Sequence, residues 1–240
     1  MSRRLNDLIE KKNKAGEKLL SIFITAGFPE KNATADIVFA LAESGVDFIE
    51  LGMPFSDPIA DGPVIQSASQ KALDNGITLE FIFDILREIR AKTDIPVILM
   101  GYINPVMQFG LDEFIQKSAK LKVDGLILPD WPLEENSEYA EKFKENDLDL
   151  IHLIAPNTPK NRILQIDQQS TSFIYCVAYT GVTGQNNQIT NESAEFLNYL
   201  KNNLNQPFVV GFGVKNHEDF IRYGQYANGV IIGSAFIRLV

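Results

Sequence analysis

The sequence predicts an α/β fold, a (β/α)8 TIM barrel, and three observations carry that prediction. Eight short apolar runs recur along the 240 residues, at 19–25, 46–51, 95–100, 123–128, 148–154, 172–177, 208–212 and 230–232. Several are apolar at nearly every position, as in FIYCVA and GVIIG, which is how strands buried on both faces of a parallel sheet read. The segments between them carry apolar residues at helical spacing, and strands alternating with helices are the barrel pattern. No linker-like or low-complexity stretch divides the chain, so residues 1–240 read as a single domain. An open doubly wound sheet competes with this reading. It calls for a glycine-rich turn after the first strand, where only Gly27 stands.

Each element follows from local signals. Residues 3–14 carry Leu5, Leu8 and Ile9, a helix suited to plug the barrel's N-terminal end. After the first run, Ile37 and Leu41 mark a crossover helix that Gly45 stops. After the second run comes a loop, 53–63, stiffened by Pro54, Pro58 and Pro63. Thr78 is an N-cap for the next helix, whose Ile82, Ile85, Leu86 and Ile89 recur at i, i+3, i+4 and i+7. Tyr139 and Phe143 mark a later helix, and Phe196, Leu197, Leu200 and Leu204 another. Ser234 opens the eighth and last. The sequence given stops at Val240, a few residues further on, so this helix is expected to be truncated, leaving the backs of the first and last strands uncovered.

A formal net charge of -9 argues against a nucleic-acid binder, since affinity for the phosphate backbone relies on clustered Lys and Arg. A phosphorylated ligand would have to be held locally, by backbone N–H groups or a helix end. The single cysteine, Cys176, lies in an apolar run, so no disulfide can form within the chain. The polar N-terminal segment lacks the apolar stretch of a secretory signal, and no segment approaches the roughly 20 apolar residues of a membrane span. The expectation is a soluble cytoplasmic protein.

In a barrel, function collects at the C-terminal ends of the strands. The last three of those ends carry Gly181, Gly184, Gly211, Gly213 and Gly233, with Ser234 after them. Glycines there either make tight turns or let the backbone approach a ligand; over three consecutive strand ends the second reading, a phosphate cradle, is preferred. The second run ends in Glu50, which alternation sets on the face opposite Ile49. On the barrel interior such a carboxyl would be desolvated and its pKa raised, as a general acid–base requires. The stiff loop that follows could bring Asp57 or Asp61 over the barrel mouth; a plain capped turn is the alternative. His152 and His217 stand at unrelated positions without a cysteine cluster, so no metal site is expected, and His152 reads as structural. No lysine lies in any run, which disfavours an imine mechanism.

Residues 50–66, ELGMPFSDPIADGPVIQ, resemble the signature of tryptophan synthase alpha subunits. Thr180 to Gly184 is similar to that family's mobile loop, Gly211-Phe212-Gly213 and Gly233-Ser234-Ala235 to its phosphate-binding segments, and Asn104-Pro105 and Leu128-Pro129-Asp130 fit as well. The resemblance runs from Leu5 to the end. It implies a lyase of tryptophan biosynthesis that cleaves indole-3-glycerol phosphate, by retro-aldol chemistry, into indole and glyceraldehyde 3-phosphate. It implies that Glu50 is the acid–base catalyst and Asp61 its partner at the indole nitrogen. Thr183 would help position Asp61; Phe23, Tyr175 and Phe212 would surround the ring and glycerol chain, with Leu128 and Ile232 as wall residues. The N–H groups of Gly184, Gly213, Gly233 and Ser234 would hold the phosphate. Loops 53–63 and 181–187 would act as lids. No cofactor is implied in this chain; pyridoxal phosphate would belong to a beta subunit, the implied partner in an α2β2 assembly. The contact would involve Pro54, Phe55 and Asp57 with segment 104–109, anchored by Phe55, Val106, Met107 and Phe109. Trp131 departs from the pattern, standing where a smaller aliphatic residue is expected.

Two rival functions remain at this point. One is another phosphate-binding barrel, an isomerase or synthase acting on anthranilate derivatives, which the 50–66 segment and the lack of strand lysines disfavour. The other is a non-catalytic regulatory subunit, which the presence of both Glu50 and Asp61 disfavours.

Overall fold

The computed structural model describes residues 3–177 and 190–240. Its strands are β1 (Leu19–Thr25), β2 (Phe48–Gly52), β3 (Val97–Met100), β4 (Gly125–Ile127), β5 (Asp149–Leu150), β6 (Leu153–Ile154), β7 (Ile174–Val177), β8 (Phe208–Gly211) and β9 (Gly229–Ile232). All pairings are parallel, in the order β5-β4-β3-β2-β1-β9-β8-β7-β6. The two ends of that series are neighbours in the sequence. Between them the ladder continues: Ile151 N–H donates to Leu126 O at 2.9 Å, and His152 O accepts from Tyr175 N–H at 2.9 Å. The run at 148–154 is therefore one strand that pairs with β4 by its first half and with β7 by its second. The sheet closes on itself, and the barrel is the fold predicted. The second strand begins at Phe48 rather than Val46 and extends to Gly52.

Strand alternation separates two environments. Leu19, Phe23, Phe48, Ile98, Met100, Ile127, Ile151, Phe173, Tyr175, Val209 and Ile231 pack together inside the barrel. Their sequence neighbours, such as Ile22, Ile49, Leu99, Leu126 and Ile174, face the outer helices. The helix Arg3–Ala15 closes the bottom as expected: Leu5 and Ile9 join the interior cluster. It is tied down by Arg4, whose guanidinium meets the buried Asp124 at 3.0 and 2.9 Å, and by Lys12, 2.9 Å from Asp47.

The helices read from periodicity appear as Thr34–Glu43, Leu79–Lys92, Asn136–Glu145 and Asn191–Asn203. Thr78 Oγ1 accepts from Phe81 N–H at 3.2 Å, making it the N-cap anticipated. Segment 104–109, read only as a rim, lies within a helix, Ile103–Phe109. The final helix, Ser234–Ile237, has four residues. Among the described residues no helix is long and apolar enough to cross a membrane.

Candidate active site

Glu50 occupies the interior face of β2, between Phe23 of β1 and Ile98 of β3 in the strand register. It is fully buried, and neither carboxylate oxygen has a hydrogen-bond partner among the described residues. Burial alone pushes its carboxyl up to about 8, because a charge there would lose its hydration without a counter-ion.

Asp61 enters from the loop after β2. The cleft at the C-terminal ends of the strands is lined by Asp61 with Phe23, Ile65, Met100, Tyr175 and Phe212, and continues to Gly213, Gly233 and Ser234. A second lobe reaches Gly52, Gly101, Tyr102 and Pro129. Burial raises the Asp61 carboxyl above its ordinary value, while a hydrogen bond from the Tyr102 hydroxyl, at 2.9 Å, pulls it down. Asp57, the other carboxylate of the loop, is exposed. The Tyr175 hydroxyl is driven well up, first by burial and then by the charges of Glu50 and Asp61, so this ring lies within electrostatic reach of both carboxyls.

The structure thus gathers Phe23, Asp61, Tyr175, Phe212, Gly213, Gly233 and Ser234 into one cleft, with Glu50 beneath it. Leu128 and Ile232 do not join them. Leu128 packs in the outer cluster, and Ile232 lies between the outer clusters. Their neighbours Ile127 and Ile231 face inward instead, because the side-chain period of two carries a one-residue error in register to the opposite face. Thr183 and Gly184, with the whole 181–187 segment, lie outside the described residues.

The glycines divide by role. A Cβ on Gly211 would stand 2.0 Å from Tyr175 Oη, so this glycine makes room for a neighbouring ring rather than for a ligand. Phe212 and Gly213 follow with positive φ, 67° and 86°. That left-handed pair turns the chain over the cleft and presents the half-exposed Phe212 ring edge-on to Tyr175, centroids 6.4 Å apart. Tyr102, which the sequence does not single out, holds Asp61; the one signal is its position just past a strand end. Trp131 packs edge-on against Tyr139 and Phe143, at 5.4 and 6.1 Å, filling the outer layer. His152 is buried, which lowers its imidazole to about 4 and keeps it neutral, in line with a structural residue.

A family model described as tryptophan synthase alpha chain matches residues 9–240. The chain belongs to the tryptophan synthase alpha chain family. It is 44% identical to the tryptophan synthase alpha chain of Flavobacterium psychrophilum over 96% of this chain and 92% of that one. Its fold matches the crystal structure of tryptophan synthase subunit alpha from Legionella pneumophila with a TM-score of 0.89 and 36% identity, over 99% of this chain and 88% of the other. A chain from the tryptophan synthase complex of Pyrococcus furiosus matches with a TM-score of 0.84 and 36% identity, over 92% and 89%. Members of the tryptophan synthase alpha chain family are TIM-barrel lyases of tryptophan biosynthesis.

The rim read as a docking surface is only partly as expected. Met107 is 54% exposed, but Val106 is fully buried in the core and cannot anchor a partner. Phe109 is half-buried, packed against Phe83 and Phe114. Phe55 is half-buried against Tyr102. Ile59, which sequence reasoning passed over, is 81% exposed on the same loop.

Proposed function

We propose that Glu50 and Asp61 are the catalytic pair with which this chain cleaves indole-3-glycerol phosphate into indole and glyceraldehyde 3-phosphate. The observation that carries the proposal is the buried Glu50 carboxyl, without a hydrogen-bond partner among the described residues and raised to about 8 by burial, below a cleft that Asp61 lines. At neutral pH Glu50 holds a proton. It delivers that proton to indole C3, turning the ring into a cation that can accept an electron pair. The resulting Glu50 carboxylate removes the proton of the glycerol hydroxyl adjacent to the ring. The C–C bond then breaks, its electrons restore the aromatic indole, and the hydroxyl carbon leaves as the aldehyde. Glu50 ends protonated, ready for another turnover. Asp61, ionised, stabilises positive charge at the ring nitrogen in a cleft walled mostly by apolar side chains.

Phe23, Tyr175 and Phe212 would flank the indole ring, and the backbone around Gly213, Gly233 and Ser234 would receive the phosphate. Gly184 and Thr183 belong to the same proposal. Pyridoxal phosphate is assigned to a beta subunit, which would dock on the Ile59 and Met107 rim in an α2β2 assembly; the match to a chain from the Pyrococcus furiosus complex supports a partner of that kind.

Indole release by Glu50→Gln and Asp61→Asn tests the assignment. Each is expected to lose about 10²–10⁴-fold in turnover, the usual contribution of such groups, with substrate binding largely retained. A variant keeping more than half the turnover would remove its residue from the mechanism.

A further inference from the structure

We propose that Tyr102 is a positioning residue for Asp61, its hydroxyl fixing the orientation of that carboxylate and favouring its ionised form during the reaction. The inference rests on the reading of Asp61 as the charged partner of the indole ring.

Tyr102 is the second residue past β3 and is 4% exposed. Its hydroxyl donates to Asp61 Oδ2 at 2.9 Å and accepts from Ala60 N–H at 2.9 Å. A phenol has one proton. With that proton committed to Asp61, the oxygen is left to accept from the preceding backbone amide, so one atom grips two consecutive residues of the loop. The ring meanwhile packs against Phe55 near the start of the same loop, centroids 5.4 Å apart. Both ends of the segment are thus referred to a single side chain.

That side chain is itself anchored by the barrel. On one side Gly101 N–H donates to Ile127 O at 3.0 Å, and on the other Ile103 N–H donates to the Asp130 carboxylate at 3.0 and 3.2 Å. The peptides flanking Tyr102 are therefore tied to the scaffold, whereas Asp61 lies on a loop. A carboxylate that must face a developing charge loses effectiveness with small misplacement, and Tyr102 transfers the rigidity of the strand end to it.

The hydroxyl also has an electrostatic effect. Asp61 is partly desolvated, and no lysine, arginine or histidine is found among the described residues lining the cleft. Of the other titratable groups there, Tyr175 from β7 is a phenol held neutral by burial, and Glu50 from β2 is protonated at the start of the reaction. Neither supplies a positive charge to Asp61. The Tyr102 hydrogen bond opposes the desolvation of Asp61 and favours its charged form.

The test compares the pH dependence of kcat for indole release in the wild-type chain, Tyr102→Phe and Asp61→Asn. Without the hydroxyl the Asp61 pKa rises. The acid limb of the Tyr102→Phe profile should move up by about one to two pH units, the equivalent of a hydrogen bond to a charged group. The basic limb set by Glu50 should stay in place, and kcat should fall more than KM rises. A ¹³C-carboxylate titration of Asp61 in Tyr102→Phe should show the same upward shift without reference to turnover. Phenylalanine keeps the ring and its contact with Phe55, and melting temperature checks that the fold is retained. An unchanged acid limb and an unchanged Asp61 titration, with Asp61→Asn inactive, would overturn the role of Tyr102 and leave the Asp61 reading standing. An active Asp61→Asn would overturn both.

Discussion

Placing a carboxyl between Phe23 and Ile98 makes Glu50 a proton donor at neutral pH and also a cost to the fold. Its folded pKa is raised to about 8 from the ordinary 4.5. Between those values the native state binds more protons than the unfolded chain, so stability must fall as pH rises through that window. The contribution of Glu50 is fully present below about 4.5 and lost by the time pH passes 8. Glu50→Gln removes the titration. Its melting temperature is expected to decline less than that of the wild type between pH 5 and pH 8.5, and to exceed it at the upper end. Melting curves across that range check this, and parallel declines would refute it. The same pKa predicts that the cleavage rate falls on the basic side of about 8, where Glu50 has already lost the proton it must deliver. That Glu50 and Ile49 face opposite ways was legible, because alternation needs no three-dimensional information, but which of the two faces inward was decided only by barrel closure. The placing of Leu128 and Ile232 on the inner wall missed for the same reason, since it depends on knowing which member of an all-apolar pair faces inward, and LIL or VII patterns carry no polar marker.

At the level of elements, the two ends of the barrel are built differently. The top is loops, glycines and carboxylates. The bottom is closed by the helix Arg3–Ala15 and stitched by Asp124. The Asp124 carboxylate is buried and accepts from Arg4, from Arg90 at 3.3 Å and from Val97 N–H at 2.8 Å. Removing one member of a buried charge cluster leaves its partners desolvated, at a cost of about 3–5 kcal/mol. Asp124→Ala is expected to lower the melting temperature strongly, by about 2–4 °C per kcal/mol lost. Indole release per folded molecule should be unchanged, because the cluster lies at the opposite end of the barrel from the cleft. Loss of turnover in fully folded variant would contradict that division. The helix closing this end was visible from the apolar face of Leu5 and Ile9. The ion cluster was not, since Arg4, Arg90 and Asp124 are far apart in sequence and only strand pairing brings them together.

On the scale of the whole molecule, exposed apolar side chains near the cleft matter more than the overall charge. Ile59 and Met107 project from the loop after β2 and the helix Ile103–Phe109, both adjacent to Tyr102 and so to Asp61. Ile59→Asp and Met107→Asp are expected to leave the melting temperature of the isolated chain within a degree or two, as exposed substitutions usually do. They should weaken binding of a tryptophan synthase beta subunit by about tenfold or more, the loss of a single interface anchor. Calorimetric titration measures this, and unaltered affinity in both variants would move the docking surface elsewhere. The sequence offered Val106 as an anchor of this rim, because helical apolar residues look alike until packing separates the buried face from the exposed one.

The order of strands and helices, the cap at Thr78, a strand-end carboxyl at Glu50 on the face opposite Ile49 and the proline-stiffened carboxylate loop were all determined by sequence alone. Each depends on backbone periodicity or on the conformational limits of individual residues, which act over a few positions. Tertiary structure decided what depends on distant segments meeting. Closure of the 148–154 strand onto both β4 and β7 makes the sheet a barrel. The room left by Gly211 is taken by Tyr175 from the adjacent strand. Asp61, rather than Asp57, lines the cleft, and it is held there by a hydroxyl 41 residues away in the chain. Hydrogen bonds and desolvation depend on distances of a few ångströms between such segments, and those distances exist only once the strands have paired.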